Sequence, residues 1–355
     1  MAYRDTVITD PTAIGDARNR ILYQSEALGV SKPGGSPAFL RRVQSVNYSF
    51  SVGRTDVNQF GELAAIDRVI LEQPTVTMDF SYILHGLENE KALGFDTGNS
   101  DVGMISEIIK GASATTVVDK LQYHISLANE GLDAATADSS AVASNINIPD
   151  GFITSYSASG SVGEFPTATV NLEALDMRIG SGHTANTESV AAQAASAEAN
   201  VNSYVLRPGE IELDIKAFGG IVHLQSFTLT VDLTREPINR LGTNFPFARV
   251  ISFPLNATLS AEGILSKDST DGDNSLGELV SSDAAIESLV VDCRAQTGTN
   301  QIGGIKYTMK QAKLDSYSYT SSIGANKAVS MDWSVPIGSS TQTDRGVFID
   351  QGGSA

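Results

Sequence analysis

A 41-residue stretch, Gln44 to Leu84, recurs without a gap at Gln225 to Leu265, at a constant offset of 181 residues. Eleven positions are identical: Gln44/Gln225, Ser45/Ser226, Arg54/Arg235, Asn58/Asn239, Gly61/Gly242, Arg68/Arg249, Val69/Val250, Ile70/Ile251, Thr77/Thr258, Ile83/Ile264 and Leu84/Leu265. Alternating apolar positions coincide as well, as in Tyr48/Leu229, Phe50/Val231 and Val52/Leu233. Unrelated strands share an alternation, but not an Arg, an Asn, a Gly and a second Arg at the same spacing. The chain therefore reads as one fold present twice, and any function belongs to a tandem pair.

The duplication continues beyond this block. Ser155–Tyr156–Ser157 with Ser161 and Gly163 matches Ser316–Tyr317–Ser318 with Ser322 and Gly324, at an offset of 161. Between the blocks, Ile105–Ile109 resembles Leu276–Val280, and Val117–Val118–Asp119 resembles Val290–Val291–Asp292. The order in both halves is a long strand pair, a short helix, a strand and a closing strand pair. The drift in offset places insertions and deletions in the connections, where loops tolerate them.

Each repeat reads locally as β-structure. Residues 42–53 alternate apolar and polar through Val43, Val46, Tyr48, Phe50 and Val52, and Val69–Leu84 does so through Val76, Met78, Phe80 and Tyr82. That period of two marks half-buried strands. The connection Gly53–Asp67 is long for a hairpin and predicts a projecting or functional loop. Val102–Lys110 has helical spacing, Thr115–Leu127 reads as strand, and 131–144 as surface loop. Phe152–Ser161 and Thr167–Leu175 form a last strand pair turned at Gly163–Pro166. Pro11–Leu28 reads as a helix started by Asp10–Pro11. The predicted organisation is a first domain over 1–180 with an N-terminal helical arm, an Ala/Ser-rich linker over 181–203, a second domain over 204–338, and a tail over 339–355 whose Val347–Phe348–Ile349 suggests docking on a neighbouring subunit. The fold class expected is mainly β, with two tandem β-sandwich or barrel units each carrying a short flanking helix.

The totals restrict what such a pair does. Lys and Arg number 24 against 41 Asp and Glu, a net charge of −17, which opposes a phosphate-gripping surface. The chain has no apolar run long enough to span a bilayer, and the N-terminus has no secretory apolar core. The single cysteine, Cys293, excludes an intrachain disulfide and reads as a small buried residue.

Catalytic patterns are weak. Phe95–Asp96–Thr97–Gly98–Asn99–Ser100 resembles the aspartic-protease signature, a family that is also duplicated and β-rich. That chemistry needs a second carboxylate from the other half, where Lys267–Asp273 supplies no Asp-Thr-Gly or Asp-Ser-Gly. Asp268, Asp271, Asp273, Asn274 and Glu278 do not have EF-hand spacing. His85, His124, His183 and His223 lack metal-site spacing. No catalytic residue, cofactor or metal is expected.

In the segment Val43–Leu84 with its long loop, the helix near Met104–Lys110, and the closing hairpins at Tyr156 and Tyr317, the sequence resembles tail tube proteins of tailed bacteriophages. The resemblance implies a structural virion protein whose rings stack head to tail into a hollow tube that conducts DNA during ejection. A duplicated subunit implies a homotrimer imitating a hexamer, with the tape measure and baseplate proteins as further partners. It implies that the polar positions of the long strands face the channel: Asn47, Ser49, Ser51, Thr75, Thr77, Asp79 and Ser81, and in the second copy Thr228, Thr230, Asp232, Asn256, Thr258, Ser260 and Glu262. None is cationic, so phage DNA would pass without specific binding, and no membrane is involved. Arg54 and Arg68 recur as Arg235 and Arg249, which reads equally as a repeated strand-end salt bridge or as an ion pair between subunits, and loops 53–67 and 234–248 are expected between rings. The alternatives are another ring of the same fold (tube completion, terminator or baseplate hub) and, further off, the protease.

Overall fold

The computed structural model describes, apart from isolated residues, 26–33, 37–71, 74–97, 101–110, 119–128, 142–179, 211–214, 222–242, 248–265, 286–297, 300–321 and 328–351. The first repeat holds β1 (Glu26–Ser31), β2 (Ala38–Phe39), β3 (Val43–Ser51), β4 (Thr55–Val57), β5 (Asp67–Val69), β6 (Thr75–Ile83), α1 (Glu88–Ala92), α2 (Ser106–Lys110), β7 (Leu121–Ala128), β8 (Val142–Ser161), β9 (Thr167–Ala174) and β10 (Arg178–Ile179). The second holds β11 (Ile211–Asp214), β12 (Val222–Asp232), β13 (Arg235–Ile238), β14 (Ala248–Ile251), β15 (Leu255–Leu265), β16 (Ile286–Thr297), β17 (Asn300–Thr320), β18 (Ala328–Ile337) and β19 (Gly346–Gln351). The fold is mainly β and antiparallel, as the alternation predicts.

The strands repeat as the sequence does. β3, β6, β9 and β8 lie side by side in that order, and β12, β15, β18 and β17 do the same. Registers coincide: Ser45 faces Ser81 as Ser226 faces Glu262, Thr77 faces Glu173 as Thr258 faces Ser334, and Ser155 faces Asn171 as Ser316 faces Asp332. The irregularities coincide too. The register slips between Val43 and Ser45 and again between Leu224 and Ser226, and between Ile153 and Ser155 and again between Leu314 and Ser316. Bulges at matching positions are built features of a fold rather than accidents.

β8 and β17 each serve two layers. β8 pairs with β7 through Gly151 and with β9 from there on; β17 pairs with β16 up to Ala312 and with β18 from Lys313. Each strand turns just before this change of partner at a non-glycine residue with positive φ, Asp150 (52°) and Gln311 (59°), a conformation that L-residues adopt only where the surroundings impose it. The outer layers pack back on the inner one, with the Tyr123 ring 6.1 Å from that of Phe80. One buried cluster runs through both repeats, from Leu28 and Val76 to Trp333 and Ile349. The repeats are joined by β8 and β12, paired from Ser226↔Ser161 to Asp232↔Ser155. The result is an eight-strand path, β3-β6-β9-β8-β12-β15-β18-β17, within one 15-stranded sheet; among the described residues the path does not close on itself.

Several expectations need correction. β1 begins at Glu26, so no helix reaches Leu28; residues 1–21 lie outside the described residues, as do the expected linker, 181–203, and the acidic stretch 266–285 with its expected helix at 276–280. The strand drawn over Val69–Leu84 is two strands, because β5 belongs to a separate two-stranded sheet with β4 and only β6 enters the large sheet. The Val347–Phe348–Ile349 triplet docks at home: β19 pairs with β17, and Phe348 and Ile349 are buried. Its apolar character answers to the chain's own core. Matching Val117–Asp119 to Val290–Asp292 also fails. Tyr123 faces Ile148 in one repeat as Leu289 faces Met309 in the other, so Val290–Asp292 corresponds to His124–Ser126.

Candidate assembly surfaces

The fourteen polar strand positions singled out from the sequence all lie on one face of the eight-strand path, exposed or half-buried. Period-two alternation sends their neighbours Val76, Met78, Phe80, Phe227, Leu229, Val231, Leu255, Ala257, Leu259 and Ala261 into the core. Side chains opposite one another bond across this face: Asn47 Nδ2 donates to Asp79 Oδ2 at 2.8 Å, Ser49 and Thr77 hydroxyls lie 2.7 Å apart, and Ser260 donates to Asp332 Oδ1 at 2.6 Å. Asp332 also accepts from Ser316, and these hydroxyls hold its carboxyl below the usual range. The face further carries Glu173 and the serines Ser155, Ser157 and Ser159. Its one described cation in the strand register is Lys313, opposite Ser334.

The four arginines divide unequally. The Arg235 side chain, 1 % exposed, reaches from the second repeat into the first: Nε donates to the Ile153 carbonyl at 2.9 Å, Nη1 lies 2.8 Å from Asp119 Oδ1, and the guanidinium sits 5.2 Å from the Phe152 ring centre. Arg249 likewise crosses to Glu173. Both bind repeat to repeat inside one chain. Their first-repeat counterparts do not do so. Arg54 is exposed, and Arg68 pairs with Asp56 at 2.6 Å within its own hairpin.

The long connections are hairpins with the same register. Thr55 faces Val69 and Val57 faces Asp67, as Glu236 faces Val250 and Ile238 faces Ala248. Both turn at a glycine with positive φ, Gly61 (97°) and Gly242 (86°), which no side chain adopts without strain. Immediately before each glycine an apolar side chain stands fully in solvent, Phe60 and Leu241, with Leu63 beside the first. β3 and β12 run in the same direction in the sheet, so both hairpins leave one rim. The β8–β9 turn lies at the other rim and exposes Val162 and Phe165.

A buried polar knot, without any local signature in the sequence, ties the repeats together. Glu90, on α1, accepts from Tyr82 Oη at 2.8 Å and Tyr156 Oη at 3.2 Å, and Tyr156 shares a 2.6 Å bond with Tyr307 of the second repeat. Burial raises the Glu90 carboxyl to about 7, although the tyrosine hydroxyls pull it down. Nearby His85 is pushed down to about 4, chiefly by burial. Cys293 is buried, its thiol raised to about 12 by burial. Burial raises the Asp96 carboxyl and Glu107 adds to this, while its own N–H bonds the Met104 carbonyl; the stretch 267–273, where a protease would place its second carboxylate, lies outside the described residues.

No protein-family profile matches the sequence. No curated protein matches it either.

Proposed function

We propose that this chain is a structural subunit of a hollow tube, the tail tube of a tailed bacteriophage, and that it acts without catalysis. The observation that carries the reading is the eight-strand path, two like units side by side, with one face in the core and the other polar and poor in cations. Curved around an axis, such a face makes a wall on which DNA phosphates find few partners, so a duplex slides without sticking. Two units per chain make a homotrimer equivalent to a ring of six wedges. The apolar hairpin tips on one rim and Val162 with Phe165 on the other favour head-to-tail stacking, a heterologous contact that repeats without closing. The tape measure and baseplate proteins are then neighbours in the virion tail. Negative-stain microscopy of the purified chain tests this. Hollow filaments with a regular axial repeat are expected. Isolated rings would favour a terminator or hub of the same architecture, and monodisperse single chains at high concentration would remove the reading.

A further inference from the structure

Duplication makes the two hairpins alike in register, but the rest of the chain treats them differently. Every residue from Gly53 to Arg68 is exposed. The β4–β5 hairpin therefore stands clear of the body, held by three residue pairs and by the Arg68–Asp56 ion pair inside it. A two-stranded hairpin on its own is marginally stable in water. The β13–β14 hairpin is braced instead. The Arg235 guanidinium bonds the Ile153 carbonyl and Asp119 of the first repeat, and also the Arg249 carbonyl of the opposite strand at 3.2 Å. Arg249 is itself buried and reaches Glu173, and Pro246 is buried as well. We propose that the second hairpin is a fixed strut and the first a free arm, and that a ring of this chain meets the next copies along its axis through three preformed contacts alternating with three that order on docking. The threefold rim rests on the ring reading; the inequality of the hairpins does not.

One residue sets the difference. Arg68 stands opposite Asp56, and Arg249 stands opposite Pro237. Asp56 holds its arginine within the hairpin at 2.6 Å. Proline offers no carboxylate, so Arg249 turns to Glu173 of the first repeat. A buried guanidinium held by charged hydrogen bonds then fixes the strands that carry it. In a ring, a neighbouring copy does not restore equality. Phe152 faces Glu173 in the first repeat, and the matched pair in the second is Lys313 facing Ser334. The carboxylate that seats Arg249 and the ring beside Arg235 are both missing there. The first hairpin thus keeps Val57, Phe60, Leu63 and Ile66 in water until another surface covers them. Such a segment orders at the moment it binds, and that ordering costs affinity which a preformed strut does not lose.

Amide exchange of the unassembled chain tests the inequality. The segment 235–251 is expected to exchange at least about tenfold more slowly than 55–69. Two variants act on the brace without entering the first hairpin. Glu173→Gln weakens the hold on Arg249, and Pro237→Asp gives Arg249 the partner that Arg68 has in Asp56. Each is expected to bring exchange of the second hairpin to within about threefold of the first. Equal exchange of the two hairpins in the unassembled wild type, or a second hairpin unmoved by both variants, overturns the strut. In filaments, 55–69 is expected to gain at least about tenfold protection and 235–251 less than about threefold. Equal gains overturn the threefold rim and leave the tube standing. Unequal hairpins in a chain that forms no filament uphold the strut and remove the tube.

Discussion

The seam within the chain and the two ends of the eight-strand path are built from the same repeat positions, yet they present different chemistry. At the seam, Leu229 and Val231 are fully buried against Ala158 and Tyr156; at the ends, Phe50 and Tyr319 are about half exposed and Tyr48 and Tyr317 partly buried. Leu229, Val231 and Ala158 at the seam give way to Tyr48, Phe50 and Tyr319 at the ends, whereas Tyr156 and its counterpart Tyr317 keep the aromatic ring. The same contrast separates Arg235, seated on Asp119 and the Ile153 carbonyl, from the exposed Arg54. One fold thus dresses the same repeat positions differently at the seam and at the ends of the path.

The strongest way to break this contrast is Arg235→Ala. It strands the buried side of Asp119 and is expected to destabilise the single chain by about 3–5 kcal/mol in denaturant titration. Arg54→Ala should leave that titration unmoved and act only on assembly. Equal effects of the two on the single chain would sink the distinction.

The knot at Glu90 gives the next effect. Its folded pKa, about 7, lies above the ordinary value of 4.5. Between these values the native state holds a proton that the unfolded chain releases, so this group's contribution falls as pH rises from 4.5 to 7, by on the order of 3 kcal/mol. His85 works in the opposite sense. Its folded pKa of about 4 lies below its ordinary value, so its contribution is lost as pH falls below about 6.5. The two contributions oppose each other across this window. Glu90→Gln should tilt the stability profile toward rising with pH relative to wild type, and an unchanged profile in that variant would contradict the assignment.

Val231→Ala should cost the single chain roughly 1.5–3 kcal/mol, against less than about 1 kcal/mol for Phe50→Ala, whose loss should appear mainly as weaker assembly in sedimentation. The smallest single-chain effect belongs to the hairpin tips. Phe60→Ser with Leu241→Ser is expected to change folding stability by no more than about 0.5 kcal/mol while preventing filaments and sparing rings. Filaments of normal length in that variant would free the tips from any stacking role.

The sequence alone determined the duplication, the alternation of the long strands and the placing of fourteen polar side chains on one face. These follow from a strand's period of two and from an offset that can be counted along the chain. It also marked the hairpins and the arginines, but not which arginine is buried, because Arg54 and Arg235 sit in the same local text. The Glu90 knot, the docking of β19 and the strand at Glu26–Ser31 escaped it as well. Each depends on a partner far away in the chain: Tyr307 for the knot, β17 for β19, β7 for β1. Alternation is a local property that tells a side chain which way to point. What stands opposite is settled only when distant segments pack, and tertiary structure alone decided that the two repeats share the seam between β8 and β12.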